Sequence, residues 1–365
     1  YARVQVAGCR GLQRIGEPVV PFRTGRILLP PGTTVEEVAV LALAEPQVLG
    51  GRWAVEFGRT PIPIGGDEAA ARARAAQDRP NPDTYGSERP YPRAQAELVS
   101  VQRMCGYSIA IVRVFPVQYV PVRGQLVFCP SVRVELTLTE QPPDGQALAM
   151  LRTTGRPAAR VAAFVDNPEG MRAYARLKGA PPQPRVSYDY LLITTAALMS
   201  YFQPLVDQKV ADGLSVVTET VENILATQPG VDSAEKVRNY ITYAYTNWGI
   251  SYVLLGGDIA TVPYRGAYGY CLDPDPLMPC DLYFSCLDGT WNSDGDGLWG
   301  EPNDGPGGTD VDLLGEVYVG RAPVDNSGEV TTLLNKVVGY EQNGNVNPLR
   351  AQFLAEALGG GDQGG

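Results

Sequence analysis

From residue 188 onward, apolar runs alternate with amphipathic stretches. Tyr190-Leu191-Leu192-Ile193-Thr194 is a continuous apolar run, as a parallel strand buried on both faces requires. The spacing predicts a helix after it to about Asp212, with Pro204 in its first turn, Leu205, Val206 and Val210 inward, and Gly213 at its end. Leu214 to Val221 reads as the next strand. Asp232 stands three residues before Glu235, the spacing of a capping box, and opens a helix reaching Trp248. Tyr252 to Leu255 and Val317 to Val319 are further strands, divided by a long acidic loop. Asn326 and Glu329 repeat the capping spacing ahead of a helix to Glu341, and Phe353 to Leu358 reads as one more strand or a helix end. Such alternation implies right-handed crossovers and a parallel sheet with helices on both faces. Ligands of such sheets gather at the carboxyl ends of the strands, where the Gly256-Gly257-Asp258 turn lies.

The front of the chain keeps a different period. Val132, Val134, Leu136 and Leu138 alternate with Arg133, Glu135, Thr137 and Thr139, the pattern of a strand with one wet face. Ile27 to Leu29, Val35 to Leu43 and Ile109 to Phe115 are similar short segments set off by Pro and Gly, and together they predict an all-β sandwich over residues 1–140. Between Asp67 and Arg93 large apolar residues thin out, which reads as a surface excursion with a helical turn around Ala69 to Ala76, either a contact arm or a plain loop. Residues 141–187 are dotted with proline and predict a linker before an α/β unit over 188–365. The linker carries Arg152, Arg156, Arg160, Arg172, Arg176 and Arg185, so it either offers sites to a protease cutting after Arg or is simply solvated.

Composition narrows the function. A formal charge of -10 argues against nucleic acid and anionic membrane surfaces as partners, since both would repel the chain. No run approaches the length of a membrane span. The chain opens at Tyr1 with neither Met nor a signal peptide, as expected of a mature or partial form. Cys271 and Cys280 bracket a loop short enough for a disulfide, which would contribute about 2 to 3 kcal/mol. Cys105 and Cys129 lie on neighbouring strands and either pair or are buried as small apolar groups. The 365 residues contain no His, so this chain by itself holds no Ser/His/Asp triad, Cys/His dyad or imidazole-ligated metal.

The acidic loop carries the sharpest chemical signal. In Asn292-Ser293-Asp294-Gly295-Asp296-Gly297-Leu298, side-chain oxygens fall at alternate positions, the sixth residue is Gly and the seventh offers a carbonyl. That is the first half of an EF-hand calcium loop, whose cation needs oxygens converging over a sharp turn. The Glu expected at the twelfth position is replaced by Asn303, with Glu301 and Asp304 nearby. Magnesium fits less well, because it tolerates few all-protein cages. The alternative is a solvated Gly/Asp turn. Calcium and the candidate disulfides both fit an extracellular or cell-surface location.

A family resemblance now has its residues. Tyr252 to Asp258, Val262-Pro263, Cys280-Asp281-Leu282-Tyr283-Phe284, Asn292 to Glu301 and Val317 to Pro323, with Glu329, Lys336 and Tyr340-Glu341, resemble the first half of the gingipain family of cysteine peptidases. Pro21-Phe22, Ile27-Leu28-Leu29-Pro30, Pro61-Ile62-Pro63 and Val114 to Pro121 resemble that family's propeptide. The resemblance implies a secreted, calcium-stabilised endopeptidase acting on proteins or peptides, with an α/β caspase-like parallel-sheet subdomain preceded by an all-β sandwich prodomain. The family's catalytic His and Cys lie downstream of this segment, so no catalytic residue transfers, and Cys286 lacks a His partner. A C-terminal remainder, in the same or a companion chain, is then the expected partner. Asp294 and Asp296 lead the candidate ligands, Asn292 and the Leu298 carbonyl follow, and Asp258, Asp281 and Glu316 are added by strand-end position and family pattern, each with a cap or ion-pair role as the alternative. The rival functions are a non-enzymatic extracellular calcium-binding surface or filament module, and an inhibitor-like protein that binds a peptidase in trans.

Overall fold

The computed structural model describes residues 1–60, 68–142, 145–177, 187–271, 273–305 and 308–342. Phe353 to Leu358, Pro61-Ile62-Pro63 and Arg185 lie outside them. The front unit contains β1 (Arg10–Leu12), β2 (Val20–Leu28), β3 (Thr33–Ala42), β4 (Gln47–Leu49), the helices α1 (Glu68–Ala75) and α2 (Pro82–Tyr85), and then β5 (Ala96–Met104), β6 (Tyr107–Val114), β7 (Val117–Val120), β8 (Gln125–Phe128) and β9 (Val132–Glu140). β1, β2, β6 and β5 form an antiparallel sheet in that order, β3 and β9 a long ribbon, and β4, β8 and β7 a third sheet. The alternation along β9 acts as expected: Val134, Leu136 and Leu138, with Val35, Val38 and Val40 of β3, close over Leu29, Ala96, Ala110 and Val112.

The stretch expected as a patternless linker folds instead into α3 (Gly145–Met150), α4 (Gly155–Phe164) and α5 (Met171–Tyr174). Leu151, Val161, Val165 and Tyr174 cover the other face of the β2/β6/β5 sheet, on Leu28, Cys105, Tyr107 and Ile109. Arginines recur every fourth residue and point the other way. Arg152, Arg156 and Arg160 stack on the rings of Tyr245, Tyr252 and Tyr318 at 4.6, 5.6 and 4.8 Å. A guanidinium over an aromatic face buries its stem while counting as polar in any hydropathy pattern, which is why this layer reads as solvated. The segment is a wedge bonded to both units.

The α/β unit follows as β10 (Tyr190–Thr194), α6 (Gln203–Ala211), β11 (Val216–Thr220), α7 (Val221–Thr227), α8 (Ser233–Trp248), β12 (Tyr252–Gly256), β13 (Arg265–Cys271), β14 (Asp273–Cys280), α9 (Leu282–Ser285), β15 (Tyr318–Ala322) and α10 (Ser327–Gln342). β11, β10, β12 and β15 make the parallel sheet, with Tyr190, Tyr252 and Tyr318 level with one another. Leu191, Ile193, Val253 and Leu255 pack with Ile224, Val237 and Ile241 of α7 and α8. Leu192 packs instead with Phe202, Leu205, Val330 and Leu334, so helices cover both faces. Each such side chain contributes about 1.5 to 3 kcal/mol by leaving water.

Both predicted caps form. Asp232 Oδ1 accepts from Glu235 N at 2.9 Å, and Asn326 Oδ1 accepts from Glu329 N at 3.0 Å. The two glutamates return to the N–H groups of Val231 and Asp325, one residue before the cap.

The β13/β14 hairpin corrects the Cys271–Cys280 pairing. Its register sets Cys280 opposite Arg265 and Cys271 opposite Asp273, so one cysteine is at the turn and the other at the open end. About 20 Å of strand separates them, far beyond disulfide reach. Cys280 is a free thiol, as are the buried Cys105 and Cys129. Among the described residues no helix is long and apolar enough to cross a membrane.

Candidate functional site

Two constructions stand out in the α/β unit, the first at the carboxyl ends of β12 and β15. In the first, Arg321 of β15 grips Asp281 through Nε and Nη2 at 2.7 and 2.8 Å. Its remaining N–H groups donate to the carbonyls of Gly257, Val262 and Pro263 at 3.0, 2.8 and 3.0 Å, and to that of Asp258. Gly257 is required by this turn, since a Cβ there would lie 2.3 Å from Thr261 Oγ1. Asp258 Oδ1 accepts from Ala260 N and Thr261 N at 2.8 and 3.2 Å. Asp258 is thus a turn cap and Asp281 an ion-pair partner, the alternative roles open to both from sequence.

The second construction is the acidic loop. Among the described residues, Asp294, Asp296 and Glu301 form a group whose oxygens all lie within 4.8 Å of one another. The bends come from Gly295, Gly297 and Gly300, at φ of 71°, 94° and 86°. Asp304 is the hub: Oδ1 accepts from Ser293 N at 2.8 Å, and Oδ2 from Gly300 N and Glu301 N at 3.0 and 2.8 Å. That clamp brings Glu301 to the carboxylates. Asn303, the residue in the twelfth position, donates from Nδ2 to Asp294 Oδ2 at 3.0 Å. Asn292 Oδ1 and Glu301 Oε2 are shielded from water without a hydrogen-bond partner, as oxygens left for a cation would be. Desolvation, followed by the charges of Asp296, Asp294 and Asp304, raises the Glu301 carboxyl above its ordinary range. Carboxylates that crowd and repel one another fit a hard cation with oxygen ligands. Of the ligands expected from sequence, Asp294 and Asp296 come together and Asn292 and Leu298 lie on the same loop. Asp258, Asp281 and Glu316 do not join that group.

Glu316 is committed elsewhere. Its Oε1 accepts from Cys105 N at 3.0 Å and its Oε2 from Leu287 N at 2.7 Å, at the seam with the β unit. Cys286 is fully buried there. Burial first, and then the charges of Asp312 and Glu316, push its thiol well up, against the pull of Arg238. Burial and the Glu316 charge likewise push Cys105 up to about 11. A nucleophilic cysteine needs the opposite shift and access to substrate, so neither thiol is prepared for catalysis.

The peptidase family C25 model matches residues 183–364, the whole parallel sheet and its loops. Through those residues the chain belongs to peptidase family C25. The C25 segment therefore contains both constructions just described. Among solved structures, the chain is similar to one on the zymogenic latency of gingipain K from Porphyromonas gingivalis, at 19% identity and a TM-score of 0.28, covering 36% of this chain and 71% of that one. It is similar to a complex of Porphyromonas gingivalis RgpB pro- and mature domains at 20% identity and a TM-score of 0.31, covering 42% and 29%. For a structure of the Arg-specific cysteine proteinase gingipain R the figures are 18%, 0.30, 43% and 29%. At these scores the structural likeness carries no argument about this chain, which spans less than a third of the length of the last two. A search of curated proteins finds no match.

Proposed function

We propose that the chain is the front part of a secreted gingipain-like cysteine endopeptidase zymogen, a masking β unit followed by the first α/β subdomain of a caspase-like catalytic domain. The observation that carries this reading is the C25 match over 183–364 in a chain of 365 residues without histidine. A thiolate nucleophile needs a base beside it, and no imidazole is present to serve. The C-terminal remainder of the catalytic domain, in the same or a companion chain, then supplies the Cys/His pair and the oxyanion donors. The part described here shapes one wall of the peptide site around the turn braced by Arg321. Activation is by cleavage in 141–187; Arg172 and Arg176 are exposed, Arg156 is exposed beside the Tyr252 ring, Arg160 is half-buried against Tyr318 and Arg152 is buried. The complete gene product should digest casein and lose that activity to iodoacetamide, with the alkylated cysteine mapping outside these residues. Activity that survives alkylation, or a label on Cys286, overturns the reading.

Calcium is the cation proposed for the loop, held by Asp294, Asp296 and Glu301 with Asn292 and the Leu298 carbonyl. Its part is to fix the loop, not to react. At a hundredfold excess over its dissociation constant it would stabilise the fold by about 2.7 kcal/mol. EGTA should lower the melting temperature by several degrees, and Asp294→Asn with Asp296→Asn should erase the difference. An unchanged melting temperature rejects the site.

A further inference from the structure

β5 is an outer strand of its sheet, which runs β1, β2, β6, β5. In an antiparallel ladder, successive residues turn their main-chain groups alternately toward the partner strand and away from it. Arg103 turns away from β6, since its N–H donates to Asp312 Oδ2 at 3.2 Å. Val101 stands two residues earlier, opposite Ala110, with the register unbroken between them, so its N–H and C=O also point off the edge of the sheet. Edges of this kind are normally covered, charged or bent away. Here the chain at 311–312 crosses only one end, where Gln102 Nε2 also donates to the Val311 carbonyl at 3.4 Å. At the other end a bulge lies between Leu98 and Ser100, and Leu98 and Val99 are 36% and 45% exposed.

That edge opens on a cavity of about 600 Å³, lined by residues 98–103 of β5, by the start of β3, and by 288–290 and 309–312 of the α/β unit. The part contributed by the α/β unit is acidic. Asp288, Asp310 and Asp312 line the cavity, and Arg103 is the one basic residue among the described residues that do. The half-buried Asp310 is held in position by the Thr290 amide, at 3.0 and 3.1 Å, and by the Thr290 hydroxyl at 2.5 Å. Main-chain donors and acceptors thus lie along one side of the gap and acidic side chains along another. A gap enclosed by three parts of the chain admits one extended segment, not the sheet edge of a second folded molecule.

We propose that this cavity binds an extended basic peptide, which adds a short strand to the free edge of β5 at Val99 to Val101 and turns a lysine or arginine side chain toward Asp288, Asp310 and Asp312. Pairing through the main chain supplies affinity, and the acidic wall selects the charge of the side chain that faces it. From Val99 to Arg103 the strand extends about 13 Å, room for four or so peptide residues. The inference goes beyond the peptidase reading. The residues lining the cavity include no cysteine, so the peptide is held here and not cut.

The test is fluorescence anisotropy of the whole chain with a dye-labelled peptide of sequence Thr-Val-Lys-Val-Thr, blocked at both ends. Binding should saturate by about 1 mM and weaken severalfold as salt is raised. A peptide with Glu in place of Lys should bind at least about tenfold more weakly. Two further peptides, N-methylated on one or the other set of alternate residues, keep the charge; one should lose about tenfold and the other bind as the parent does, because only one set faces β5. Saturating peptide should slow amide exchange at Val101 at least about tenfold and leave Ile193, inside the parallel sheet, unchanged. Val101→Pro, a change tolerated where an N–H faces off an edge, and Asp310→Asn, which can still accept from Thr290, should each weaken binding about tenfold at an unchanged melting temperature. If Val101→Pro fails to fold, Asp310→Asn and the methylated pair decide. The proposal is overturned by absence of binding, by equal binding of the Lys and Glu peptides, by two methylated peptides that behave alike, or by protection that appears outside 98–103 and leaves Val101 unchanged.

Discussion

Replacing Arg238 with alanine is expected to lower the unfolding free energy by about 4 kcal/mol, the sum of several orphaned carbonyls. Arg238 is 6% exposed, and its Nε donates to the carbonyls of Tyr283 and Cys286 at 2.9 and 3.0 Å. Nη2 reaches Cys286 and Asp288 at 2.5 and 2.8 Å, and Nη1 reaches Gly289 at 3.0 Å. Its plane lies 4.7 Å from the centre of the Tyr283 ring. The chain from 286 to 289, just past α9, turns through the core outside any helix or strand, so this one side chain takes the place of secondary structure there. Truncation strands four carbonyls at about 1 to 3 kcal/mol each, reduced where water enters the space. Lysine, with a single donor head, should recover less than half. Urea unfolding followed by tryptophan fluorescence measures this, and a loss under about 1 kcal/mol would show that the segment holds itself.

Arg321→Ala should cost about 3 kcal/mol, less than Arg238 because its partner carboxylate can return to water. Side-chain exposure is 11% for Arg321 and 32% for Asp281. The loss should divide unevenly. A double-mutant cycle with Asp281→Ala should give a coupling of about 1 kcal/mol, because the carbonyls of Gly257, Asp258, Val262 and Pro263 remain stranded in either background. A coupling that accounts for the whole loss would mean the ion pair alone holds the turn.

What the amino-acid order discloses here is what local forces decide. Tyr190 to Thr194 and Tyr252 to Leu255 are too apolar for any place but a buried sheet, and Asp232 and Asn326 cap the very helices they precede. Features set by distant partners stay hidden. The Pro-rich β14 has no strand-like alternation; its hairpin is anchored by Arg265, which pairs with Asp232 at 2.7 Å and lies 3.9 Å from the Trp299 ring centre. The calcium-type loop is legible to its seventh residue. Beyond it the EF spacing assumes a following helix, whereas here the positive φ of Gly300 and the Asp304 clamp turn the chain so that Glu301 faces the acids. Glu316 misleads for the same reason: its place near a strand end suggests a ligand, and only the fold shows the two amides it accepts from.

The wedge also bears on how the molecule can be divided. Because Met150 packs into the α/β core and the arginines before and along α4 roof three tyrosines of the body, a truncation starting at residue 188 would peel off a lid and bare a greasy aromatic strip. Such a fragment would clump for reasons unrelated to its own fold. A cut ahead of Gly145 keeps the roof on the house but bares Leu151, Val161, Val165 and Tyr174, which cover the front sheet, so the wedge ties the two units into one piece.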